Sequence, residues 1–162
     1  MPGPDTAAPL DAQLEAAAAL CARNGTQLTA LRREVLGLIL RAQAPLTAYQ
    51  LLDQLKARRK SAVPPTIYRA LDFLSANRLI HRIEQLNAFV SCAETGHDHA
   101  DAQFLICHQC GTVMEMEDHG VSAALARAAA ARGFTPNRVT VELDGLCATC
   151  APPDKTPPPD RR

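Results

Sequence analysis

The chain has 162 residues, 47% of them hydrophobic and 21% charged, with seventeen Lys and Arg balanced by seventeen Asp and Glu. That length holds one ordinary domain or two small ones, and small domains with thin cores commonly depend on a bound metal. No stretch approaches the roughly eighteen consecutive apolar residues of a membrane span, and Met1-Pro-Gly-Pro-Asp5 lacks the basic-then-apolar pattern of a secretory leader, so a cytoplasmic location is expected. The balanced charge hides an asymmetry. Residues 1–82 carry eleven Lys and Arg against six Asp and Glu, and residues 83–162 carry six against eleven. A basic half suits a polyanion, and an acidic half rich in Cys and His suits metal.

Residues 1–9, rich in Pro, Gly and Ala, are expected to be disordered. A first helix follows from about Leu10 to Arg23, with Leu10, Leu14, Ala17, Ala18 and Cys21 on one stripe and Asn24-Gly25 as its stop. Cys21 has no partner at ligand spacing and is assigned to the core. Thr29 is placed to cap a second helix reaching about Ala42, with Leu31, Val35, Leu38 and Ile39 inward. Arg32 and Arg33, near its start, are expected to be free to reach phosphates. Thr47 caps a third helix in which Leu51, Leu52 and Leu55 face the core, so Tyr49, Asp53 and Lys56 point outward.

The basic loop Lys56-Ala-Arg-Arg-Lys60 leads into a fourth helix beginning near Pro65, where a missing N–H has no intrahelical partner to lose. Its buried stripe is Ile67, Leu71 and Leu74. Arg69 projects opposite that stripe with Thr66 one turn earlier and Tyr68 beside it, the placement that a recognition helix gives its base-reading side chains. Leu79–Glu84 and Ala88–Cys92 read as two strands joined through Gln85–Asn87. Three helices followed by a hairpin make a winged helix-turn-helix, assigned to residues 10–91.

Residues 92–102 read as a polar hinge, and residues 103–151 change character. Strands are expected near Gln103–Ile106 and Thr112–Met116, a helix at about Val121–Arg132 ending at Gly133, and a strand at Arg138–Leu143. The Pro-rich tail, residues 152–162, is expected to be disordered. Cys107-x-x-Cys110 and Cys147-x-x-Cys150 each set two thiolates in a tight turn, the usual way to surround zinc with four sulfurs. Thirty-six residues separate the pairs, so the metal would staple together distant elements. Two disulfides are the competing reading, disfavoured because nothing else points to an oxidising compartment.

Three stretches, Pro65-Thr-Ile-Tyr-Arg-Ala-Leu-Asp-Phe-Leu74, Cys107-His-Gln-Cys-Gly111 and Gly145-Leu-Cys-Ala-Thr-Cys150, resemble the ferric uptake regulator family, and within it the zinc uptake regulator branch. The likeness covers roughly residues 10–151. It implies an α+β fold, a winged-helix domain joined by a hinge to an α/β dimerisation domain with a structural zinc. It also implies a homodimeric repressor that binds palindromic duplex operators of metal-import genes when zinc-loaded. Carried over by position, Arg69 and Tyr49 would contact DNA, and Cys107, Cys110, Cys147 and Cys150 would hold the structural zinc. A second, regulatory zinc would be held by His81, Cys92, a hinge histidine and Glu115, giving two zinc ions per chain. The hinge ligand is His99 or, as the alternative, His97, since neither aligns cleanly. The family's Thr-Pro-Gln-Arg signature appears here as Thr29-Ala30-Leu31-Arg32.

The branch follows from the residues. Asp101-Ala-Gln-Phe104 stands where iron sensors carry a His-rich run, and a thiolate among imidazoles and a carboxylate suits zinc better than iron or manganese, the alternative metals. Neither the His-x-Glu nor the Pro-Cys-x-x-Cys of zinc deaminases occurs, and four protein ligands at each site leave no position for a catalytic water, so no enzyme is expected. Asp53 and Lys56, opposite charges on an outward face, are candidates for contacts between neighbouring dimers on DNA, against the plainer reading of an intrahelical pair. His108 and His119 are taken as bystanders.

Overall fold

The structure is a computed structural model that describes residues 9–92 and 101–152. The two expected disordered termini fall almost wholly outside the described residues, and so do His97, His99 and most of the hinge. The chain divides into two units, Met1–His99 and Ala100–Arg162.

In the first unit α1 spans Leu10–Arg23, α2 Ala30–Arg41, α3 Ala48–Lys56 and α4 Pro64–Ala76. Helix α1 ends because Asn24 leaves helical geometry and Gly25 takes φ +68°, a conformation that costs glycine nothing. Thr29 occupies the N-cap position of α2 without a side-chain cap bond. Thr47 forms a complete capping box: its Oγ1 accepts from the Gln50 N–H at 3.2 Å, and its own N–H donates to Gln50 Oε1 at 2.8 Å. Pro64 and Pro65 fill the first two positions of α4 after the extended Val63.

Strands β1 (Leu46–Thr47), β2 (Ile80–Ile83) and β3 (Ala88–Ser91) form an antiparallel sheet in the order β1-β3-β2. The sequence pointed to a hairpin alone. Leu46 and Thr47 add a third strand by pairing with Phe89 and Ala88, a segment too short to show a period of two. Val35, Leu36, Leu51, Leu55, Ile67, Leu71 and Leu74 are almost fully buried in one core, each worth about 1.5–3 kcal/mol of apolar transfer. The burial of Leu36 and Gly37, outside the expected stripe, makes α2 the central helix of the unit.

In the second unit β4 (Asp101–Cys107) lies between β5 (Val113–Met116), to which it is antiparallel, and β6 (Val139–Gly145), to which it is parallel. The strand pair β4–β6 sets Cys107 opposite Gly145. Strand β4 starts two residues before the expected Gln103. Helix α5 covers His119–Ala130, two residues earlier at each end than its apolar pattern suggested, because Asp118 Oδ1 accepts from Gly120 and Val121 N–H and so sets the start. Within α5 no residue is buried.

Candidate metal centres and nucleic-acid face

Because β4 and β6 are parallel neighbours with Cys107 opposite Gly145, both Cys-x-x-Cys turns leave the same end of the sheet. In the first turn Cys107 O accepts from Gly111 N–H at 2.8 Å, with Gly111 at φ +74°, and Cys107 N–H donates to Thr112 O at 2.9 Å. In the second, Cys147 O accepts from the N–H groups of Cys150 and Ala151 at 3.0 and 2.8 Å. His108 N–H donates to Gly145 O at 3.0 Å, and His108 Nδ1 lies 3.2 Å from Asp144 Oδ2, so this histidine fastens the two turns together.

All four sulfurs lie within 4.8 Å of one another, and Cys110 Sγ is 3.7 Å from Cys147 Sγ. Zn–S bonds of about 2.3 Å at tetrahedral angles place sulfurs about 3.8 Å apart, whereas a disulfide needs about 2.05 Å. The residues therefore fit zinc, and no disulfide forms among the described cysteines. Hydrogen bonds from the backbone of Cys147 and Cys110 hold the Cys107 thiol down to about 6. Bonds from the Thr112 hydroxyl and backbone lower Cys110, while the neighbouring Cys147 thiol pushes Cys150 up to about 12. Four crowded sulfurs cannot all ionise without a cation among them, the charge that a zinc ion would supply.

In the first unit His81, on β2 opposite Val90, is buried together with Cys92, whose N–H donates to Leu79 O at 3.1 Å as the chain leaves β3. Their ligand atoms lie within 4.8 Å of each other. In the second unit Glu115 stands on β5 opposite Phe104 and is half-buried. His119 is the first residue of α5 and is exposed.

The outward side of the first unit carries Tyr49 at 73% exposure and Tyr68 at 55%, with Arg69 exposed and Thr66 half-buried on the same helix as Tyr68. Two large aromatic side chains left this exposed contribute little to the packing of this unit. Arg32 and Arg33 are not free, contrary to expectation. The Arg32 guanidinium lies 3.5 Å from the Phe73 ring centroid and donates to Gln27 O at 2.8 Å, and Arg33 pairs with Glu15 at 2.8 Å. Asp53 and Lys56 are both exposed, and no ion pair joins them among the described residues.

Sequence reasoning assigned no role to Asn77. It is buried, accepts a hydrogen bond from Thr26 Oγ1 at 2.8 Å and donates to Phe73 O at 2.9 Å, tying the α1–α2 loop to the end of α4. Only the threonine's return from 51 residues away reveals this role.

Residues 23–144 match the family profile described as FUR, ferric uptake regulator family. The chain belongs to the ferric uptake regulator family. It is 37% identical over 131 residues to the zinc uptake regulation protein of Escherichia coli (strain K12), covering 81% of this chain and 77% of that protein. Among solved structures it resembles a zinc uptake regulator complexed with zinc and DNA, with TM-score 0.84 and 35% identity over 88% of this chain and 95% of the other. It also resembles holo XcZur, with TM-score 0.79 and 42% identity over 86% of this chain and 96% of that one.

In this member of the Fur family the second unit leaves much apolar surface in water. Met114, Leu105 and Leu143 form one cross-strand row, of which Met114 and Leu143 are exposed, and Leu125, Phe134 and Leu146 are exposed elsewhere in the unit. Among the described residues no helix is long and apolar enough to cross a membrane.

Proposed function

We propose that this chain is a zinc-responsive transcriptional repressor: a homodimer that, when zinc-loaded, binds palindromic operators of zinc-uptake genes. Residues 10–91 read DNA, residues 92–102 are the hinge and residues 103–151 dimerise, covering the exposed apolar row of the second sheet and α5. Each chain takes two zinc ions. Cys107, Cys110, Cys147 and Cys150 hold the structural ion, and His81, Cys92, Glu115 and His99 hold the regulatory one, with His97 as the alternative hinge ligand. The observation that carries the zinc reading is the buried His81–Cys92 pair, since one sulfur in a sensing set favours zinc over iron or manganese. Zinc at the regulatory ligands selects one arrangement of domains by binding it more tightly than the others.

On DNA, Arg69 donates to guanine O6 and N7, with Tyr49, Tyr68 and Thr66 beside it, while Arg32 and Arg33 contact phosphates through the donors their internal bonds leave over. Asp53 and Lys56, each exposed and not paired with the other, are available for the opposite charges of an adjacent dimer.

Metal content and binding to a palindromic duplex from a zinc-import promoter, measured before and after mild chelation, test the proposal. Two zinc ions per chain are expected, of which the labile one is required for DNA binding. Cys92→Ser should remain a folded dimer with one zinc and lose affinity at limiting zinc. Undiminished binding by that variant would overturn the regulatory assignment.

A further inference from the structure

The fourth helix lacks the feature by which helix starts usually hold phosphate. A helix N-terminus binds anions through unsatisfied N–H groups. Here the first two positions, Pro64 and Pro65, have no N–H, and the N–H of Thr66 donates to Val63 O at 2.9 Å. With three of the four usual amides removed or spent, grip on the DNA backbone at this end falls mainly to side chains. The adjoining loop has the right ones. Between Gln54 and Leu71 the sequence contains Lys56, Arg58, Arg59, Lys60 and Arg69 and no acidic residue.

The loop is also held in place, which distinguishes it from a solvated charge run. The N–H groups of Arg58 and Arg59 donate to Leu55 O at 3.0 and 2.8 Å, and Ala62 N–H donates to Arg59 O at 3.0 Å. Ala62 is buried in the core of the unit. Arg59 turns back to the largely buried Glu34 of α2, its Nε 2.6 Å from Oε2, so one cation of the run anchors the loop to the scaffold. Arg58 and Lys60 flank it in sequence, are exposed, and make no ion pair among the described residues.

We propose that Arg58 and Lys60 form a phosphate clamp, positioned by the Arg59–Glu34 pair, that fixes the start of α4 against the DNA backbone independently of sequence. The inference rests on the DNA-binding reading above. Its partner is the phosphodiester backbone of duplex DNA, recognised by charge.

The test uses the full zinc-loaded chain with two duplexes, the palindromic promoter fragment and a scrambled fragment of the same composition, titrated by fluorescence anisotropy across a salt series. Each phosphate contact contributes about 0.9 to the log–log salt slope. The double variant Arg58→Ala, Lys60→Ala removes two contacts on each of the two protomers, so it should lose about 3.6 from the slope and weaken binding to both duplexes by the same factor, at least about tenfold. Arg58→Lys with Lys60→Arg, which keeps both charges, should preserve the slope. A double-alanine variant with the wild-type slope, or one weakened on the palindrome alone, would overturn the clamp while leaving DNA binding intact. A wild-type chain that bound neither duplex would instead overturn the DNA-binding reading and the clamp with it.

Discussion

The two units of this chain hold themselves together by different means. The first closes a core around α2 in which Val35, Leu51, Leu55, Leu71 and Leu74 are shielded from water. The second buries only Ala102, Gln103, Phe104, Ile106 and Cys107 among its described residues, and its one helix buries nothing. Apolar burial at about 25 cal/mol per Å² stabilises the first unit on its own, whereas the second buries little, and on the proposed function a metal ion and a partner surface make up the difference. The contrast suits a regulator. On the proposed function, the unit that reads DNA keeps its shape through its own core, while structural zinc and a partner surface hold the other together.

Removing a ligand should break the comparison most severely. Structural zinc is worth on the order of 10 kcal/mol, comparable to the whole stability of a small domain. Cys107→Ser should therefore unfold the second unit and abolish dimerisation, while circular dichroism still reports the helices of the first. A variant that remained dimeric by sedimentation and melted normally would show that the second unit does not depend on zinc.

A core truncation tests the opposite side. Leu71→Ala should cost the first unit about 2–5 kcal/mol by denaturant titration, with zinc content unchanged. Loss of zinc in parallel would mean that the two units fold as one.

Acidification gives the smallest and most graded effect. A lowered thiol pKa leaves Cys107 ionised at neutral pH and lost as a ready ligand only as pH falls through about 6. Cys150, pushed up to about 12, carries a proton at neutral pH that zinc must displace. Structural zinc affinity should therefore fall as pH falls, about tenfold per unit for each displaced proton, and more steeply below about 6. Competition with a chromophoric chelator measures it; a flat profile between pH 6 and 8 would contradict the assignment of protons.

Much of this protein was legible in its residues because the signals were local. Asn24-Gly25 ends α1 where expected, Thr47 caps α3, and the prolines before Thr66 start α4, since caps and stops depend on neighbours a few positions away. The paired Cys-x-x-Cys turns were readable for the same reason. Strand β1 was not, because two residues carry no period and become a strand only when Phe89 and Ala88 arrive from 43 and 41 positions on. The engagement of Arg32 with Phe73, of Arg33 with Glu15 and of Arg59 with Glu34 was equally hidden, since a charge shows in sequence and its partner does not. By itself the sequence determined the helix limits of the first unit, most of its buried stripes and the pairing of cysteines within each turn, all set by local propensity and periodicity. Only the tertiary structure decided that a parallel β4–β6 pair brings four sulfurs within 4.8 Å, that His81 and Cys92 are buried side by side, and that some arginines brace the fold while Arg58, Lys60 and Arg69 face solvent. Those are contacts between residues far apart in the chain, and their energies exist only once the chain has folded.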